Sequence, residues 1–162
     1  MNDYFMSHLK HPTNMIAASV HLSITEAQIS DLVDQFYTAI RSDAQLGPIF
    51  ESHIGDNWDI HLAKMKKFWR SILLKSREYD GRPVPIHQKI EGLGTEAFEI
   101  WLTHFSKVAF EIMHPEAADT TIELAKRVAT SLWLSRNPDP NVSPPLWRAA
   151  DTKISELANG NS

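Results

Sequence analysis

Apolar residues return at spacings of three, four and seven in one stretch of this chain after another, and no strand-like alternation persists for more than a few residues. That period matches the 3.6-residue turn of an α-helix, which gathers such positions on one face. A chain patterned this way folds as helices packed face to face. In the first stretch Ile29, Leu32, Val33, Phe36, Tyr37 and Ile40 form the stripe. Ahead of it, Ser23-Ile24-Thr25-Glu26 reads as a capping box, with Ser23 accepting from an early helical amide and Glu26 reaching back to the cap. Asp43, Gly47 and Pro48 predict the helix end, with Ile49-Phe50 an apolar hook in the turn.

The next helix is predicted to start at Asn57, with Trp58, His61, Leu62, Met65, Phe68, Trp69 and Ile72 on one broad face and Lys64, Lys66, Lys67 and Arg70 on its wetter flanks. Gly81, Pro83 and Pro85 make Ser76 to Pro85 a loop, and Pro85 fixes a turn immediately before Ile86-His87. A short helix over Ile86 to Ile90 is stopped by Gly92 and Gly94. Thr95 is the expected cap of a helix whose stripe is Phe98, Trp101, Phe105, Val108 and Ile112, ended by His114-Pro115. A last long helix carries Ile122, Ala125, Val128, Ala129, Leu132 and Trp133. After the prolines at 138, 140, 144 and 145, Leu146, Trp147, Ala150, Ile154 and Leu157 suggest a small terminal helix. The expected fold is all-α, four main helices with short additions at both ends.

A length of 162 residues suits one domain. With no cysteine, disulfides, Cys-held zinc, iron–sulfur clusters and thiolate catalysis are excluded. A net charge of −4 gives no general attraction to nucleic acid or anionic membrane. No apolar run approaches the ~20 residues of a membrane span. Asp3, His8, Lys10 and His11 interrupt any apolar signal core, which makes a cytoplasmic location the simplest expectation.

Four residues invite chemistry. His87 follows the Gly/Pro loop, and it is either a surface histidine or a metal ligand; an imidazole beneath an iron porphyrin, with hydrogen-bond donors above, is one such arrangement. Tyr37 lies on an apolar helix face, either as a core tyrosine with a wet hydroxyl or as a donor into a pocket. Trp101 is either core filler or a donor, since indole has an N–H and no acceptor. His61 is a rim histidine, a second ligand or a gate.

In order and spacing, Phe36-Tyr37, Leu46-Gly47-Pro48-Ile49-Phe50, His61 with Phe68-Trp69, Tyr79-Asp80-Gly81-Arg82-Pro83 leading to His87, and Phe98-Glu99-Ile100-Trp101 resemble a truncated haemoglobin, most closely the third group of that family. The resemblance runs from about Ser23 to Leu134 and implies a shortened globin, a two-over-two helical sandwich, over 23–134. Residues 1–22 form an N-terminal extension and 135–162 a Pro-rich tail outside it. It also implies haem b, with His87 as the proximal iron ligand and Tyr37 and Trp101 as distal donors to a bound ligand. His61 becomes a gate more than a fixed ligand. Phe36, Phe50, Met65, Phe68 and Trp69 would wall the haem, and Lys64, or less strongly Arg82, would pair with a propionate. Pro85-Ile86 departs from the group, where a basic residue is common before the ligand.

The resemblance implies binding of dioxygen, with nitric oxide, carbon monoxide or cyanide as further ligands. A catalytic alternative is conversion of nitric oxide and dioxygen to nitrate, or cleavage of peroxide. The chain carries no flavin or nicotinamide motif, so either reaction needs an external reductase. A cofactor-free helical module, or a non-haem metal site at His61 and His87, ranks last for want of nearby carboxylates.

Overall fold

A computed structural model describes residues 21, 23–81 and 87–160. Among these the fold is all-helical: α1 (Glu26–Ser42), α2 (Leu46–Ile54), α3 (Trp58–Leu73), α4 (Thr95–Ile112), α5 (Pro115–Arg136) and α6 (Arg148–Gly160), with a single helical turn at 87–89 and no strand. α1 packs on α3 and α4 packs on α5; the two pairs meet where α1 crosses α4. α6 lies along α4, and α2 closes one end against α1 and α4.

The α1 stripe is buried at every predicted position, from Ile29 to Ile40. Removing each such aliphatic or aromatic side chain from water is worth about 1.5–3 kcal/mol. The capping box, however, is built on Thr25 and not on Ser23. The Gln28 amide donates to the Thr25 hydroxyl at 3.1 Å, and the Gln28 side-chain oxygen accepts from the Thr25 amide at 3.0 Å. Thr25-Glu26-Ala27-Gln28 fits the motif as well as the frame two residues earlier does. The frame is decided by packing. A cap at Thr25 sets Ile24 and Ile29, both buried, as the apolar staple around the first turn. A cap at Ser23 would pair that role with exposed Ala27.

The expected turn after α1 is mostly a helix. Leu46–Ile54 forms α2, and Gly47 and Pro48 lie in its first turn, where amides have no helical partner and proline is tolerated. Asp43 supplies the missing acceptor: its Oδ1 receives the Gln45 and Leu46 amides at 2.9 and 2.8 Å. Its Oδ2 lies 2.8 Å from Nε2 of His104 on α4. Burial pushes the Asp43 carboxyl up, but the His104 and amide hydrogen bonds outweigh it and hold the carboxyl below its usual range. Gly47 is required because a Cβ there would stand 2.7 Å from the Arg41 carbonyl oxygen.

Two other cap expectations change. Asn57 precedes α3, but its side chain makes no capping bond. α4 is capped from Gly94, and Thr95 is its first residue; the Thr95 hydroxyl instead accepts the Trp133 indole N–H at 3.0 Å, joining α4 to the end of α5. Leu146, grouped with the terminal apolar set, is exposed, whereas Trp147 is buried and donates to the Thr130 hydroxyl at 3.0 Å. The segment after 134 is therefore packed against the helices before it.

Candidate functional site

Between α2, α3, α4, α5 and the turn at 87 lies a cavity of about 220 Å³. α1 and α2 contribute Tyr37, Ile49, Phe50 and Ile54; α3 contributes His61, Met65, Phe68 and Trp69. The far wall is Phe98 and Trp101 of α4 with Val128 and Leu132 of α5. Ala97 and Ala129 are small residues on these two helices, and both open onto the space. His87 completes the lining from the turn. Apolar walls with a few polar groups are the usual make-up of a small-molecule site.

His61, Tyr37 and Trp101, scattered in the sequence, thus meet His87 around one space. Phe50, Met65, Phe68 and Trp69 also line it. Phe36 does not: it sits behind the wall with its ring centroid 4.9 Å from Tyr37, 5.3 Å from Trp101 and 5.4 Å from Phe105. Its role is to support two lining rings. Lys64 is exposed on α3, outside the lining. Arg82 lies outside the described residues.

The polar groups have unusual surroundings. His61 Nε2 is buried and has no hydrogen-bond partner among the described residues. Burial first, then the positive field of His87 and Lys64, lowers the His61 imidazole to about 4, so it is neutral at neutral pH. Its ring meets Tyr37 edge-on, centroids 4.9 Å apart. Burial pushes the Tyr37 phenol up, so its hydroxyl keeps its proton. A buried imidazole nitrogen without a partner costs about 1–3 kcal/mol, which a ligand able to accept or donate there recovers.

The turn bearing His87 is tied to the end of α5. Arg136 Nη1 donates to the His87 carbonyl at 2.6 Å and the Gln88 carbonyl at 3.2 Å, and the Gln88 amide group returns a bond to the Ser135 carbonyl at 2.9 Å. Nothing in the sequence marked these contacts, nor a place at the cavity for Tyr79, His53, Ala97 and Ala129, nor a role beside it for Trp58, although Trp58, Tyr79 and Ala129 stand in the patterns named above. Trp58 stood in the apolar stripe of its helix, but nothing in its spacing marked the partners it has on α1 and α2. Tyr79 lines the cavity and meets Phe68 edge-on at 5.1 Å. His53 is exposed on α2 at the cavity rim. No group of three or more His, Cys, Asp or Glu side chains suited to a metal ion occurs among the described residues, so a metal here would come with a group bringing its own ligands. An apolar slot with an imidazole on its lining fits a porphyrin-held iron, which would take one such ligand from the protein.

No protein-family model matches the chain. It is 32% identical over 111 residues to the group 3 truncated hemoglobin ctb of Campylobacter jejuni, a match spanning 67% of this chain and 87% of that one. The crystal structure of the group III truncated hemoglobin from Campylobacter jejuni superposes with a TM-score of 0.65, covering 68% of this chain and 89% of that one.

Proposed function

Because the chain belongs to the group 3 truncated haemoglobins, we propose that it holds haem b in this cavity and binds dioxygen and other diatomic gases there. Haem iron supplies the coordination position at which such a gas is taken up. His87 is the residue assigned to the iron on the proximal side. Arg136, by gripping the carbonyls of His87 and Gln88, fixes the turn that aims that imidazole. Phe50, Met65, Phe68 and Trp69 exclude water from the slot.

On the opposite side Tyr37 offers an O–H that burial keeps protonated. Trp101 offers an N–H that can only donate. An electron-rich ligand held in the cavity would accept one or both bonds, which would slow its escape. His61, neutral and unpartnered at Nε2, either donates to that ligand or swings out as the gate. Lys64, one turn along α3 from His61, is the proposed propionate partner.

The observation that carries this reading is the meeting of His61, with its orphaned nitrogen, Tyr37 and Trp101 in one apolar cavity whose lining also includes His87. Absorption spectra of the haem-supplied protein test it. A Soret band is expected for the wild type and, in His87→Ala, weaker haem retention with loss of the imidazole-ligated ferrous spectrum. A wild-type protein that takes up no haem sinks the reading. An unchanged spectrum in His87→Ala removes that residue from the iron.

A further inference from the structure

One contact cluster beside the cavity is not accounted for by ligand binding itself. Trp58, the first residue of α3, is buried, with 7% of its surface exposed, although it does not line the cavity. Its ring stands edge-on to two residues that do. The centroids are 5.9 Å from Tyr37 and 5.8 Å from His61, and those two rings are themselves edge-on. The three form a closed triangle in which none can rotate without disturbing another. Edge-to-face is a favoured arrangement for aromatic rings, the positive edge of one meeting the negative face of the next.

The outer side of Trp58 is held by charge. Its indole N–H donates to Glu51 Oε1 at 3.0 Å. The same oxygen accepts from Arg41 Nε at 3.0 Å. The Arg41 guanidinium carbon stands 4.4 Å from the Trp58 ring centroid, a cation–π contact. Arg41 closes α1, Glu51 lies on α2 and Trp58 opens α3, so one clasp joins three helices at the protein surface. Both charged side chains are roughly half exposed. An exposed ion pair of this kind contributes little to stability. Its geometric effect is larger: it fixes the indole plane, and the indole fixes the two cavity rings.

We propose that Trp58 is a positioning residue for the distal side, clasped by Glu51 and Arg41 so that Tyr37 and His61 stay in their packed arrangement and His61 opens to an incoming ligand only when the clasp gives. This rests on the haem reading for its function and on the contacts alone for its geometry. Phenylalanine at this position keeps a ring against Tyr37 and His61 and loses the N–H that Glu51 accepts.

The test uses the haem-loaded protein and three variants: Glu51→Ala, which removes both bonds to the clasp, Trp58→Phe, which removes the indole N–H, and Glu51→Gln, which keeps an acceptor for the indole. Carbon monoxide rebinding after flash photolysis is expected to be three- to tenfold faster in Glu51→Ala and Trp58→Phe. Their C–O stretching band is expected to broaden or split, and Glu51→Gln to return close to wild type. The proximal iron–imidazole vibration stays put throughout. Wild-type rebinding rates with a single unchanged C–O band in Glu51→Ala and Trp58→Phe overturn the proposal, even where thermal stability falls, because a purely structural role moves only the latter. Should the wild type take up no haem, the haem assignment fails but the clasp is still read in the free protein by NMR. There the Tyr37 and His61 ring resonances shift on Glu51→Ala if Trp58 positions them, and unshifted resonances refute it.

Discussion

Arg136 Nη1 donates to the main-chain carbonyl of His87 at 2.6 Å, so the last turn of α5 grips the backbone of the turn that carries the candidate iron ligand. A charged donor to a carbonyl contributes about 1.5–3 kcal/mol. In Arg136→Met the urea midpoint is expected to fall by a corresponding amount. Haem transfer to an acceptor protein is expected to speed up severalfold. Unaltered haem transfer in a folded Arg136→Met would mean that the turn holds its shape without the grip.

Tyr37→Phe keeps the ring contacts to Phe36, His61 and Trp58 and removes one donor. If that donor is worth the upper end of a neutral hydrogen bond, about 1.4 kcal/mol, dioxygen leaves about tenfold faster. Stopped-flow displacement by carbon monoxide measures it. An unchanged rate leaves Trp101 as the donor that matters, and Trp101→Phe then carries the effect.

Ala129→Phe fills the cavity from the α5 side. Overpacking costs about 1–3 kcal/mol. The helical circular dichroism is expected to persist while haem uptake is lost, since the added ring takes space that Ala129 leaves open to the cavity. Full uptake by this variant would place the haem elsewhere.

Acid stability follows from Asp43. Its carboxyl is held below its usual range in the folded protein by His104 and two amides, against the opposing push of burial. A depressed carboxyl contributes stability that is whole above the unfolded value, ~3.9, and is lost as pH falls through the folded one. Urea midpoints of the wild type are therefore expected to drop more steeply below about pH 4 than those of Asp43→Asn. Parallel curves for the two proteins would rule out this contribution.

The elements read best from sequence are those whose period is uninterrupted. Ile29 to Ile40 is buried as a whole because every stripe position faces the same neighbours. α2 was missed because Gly47 and Pro48 are breakers in most contexts. Here glycine answers a backbone approach and proline sits where no amide is needed, and both reasons depend on α1 being in place. Ser23 and Thr25 offered two capping frames, and only the burial of Ile24 and Ile29 separates them. Among the cavity residues, Tyr37, His61, His87 and Trp101 were legible through the order of motifs. Phe36 stood one residue from Tyr37 and was counted with it, although adjacent helical positions point about 100° apart. Arg136 was illegible, since a contact to a carbonyl leaves no trace in side-chain spacing.

The corner between α1 and α2 has a mechanical consequence. Gly47 sits against the Arg41 carbonyl with no room for a methyl group, Asp43 bonds two amides there, and His104 pins Asp43 from α4. A joint fastened at three points transmits displacement instead of absorbing it. The α2 wall of the cavity is tied to α1 as one stiff corner, and α3 is joined to that corner at the surface by the Trp58 indole on Glu51 and by the Lys66 ammonium on Asp34 of α1 at 2.9 Å. That corner is thus the fixed frame of the chamber, against which the α3 wall carrying His61 is set.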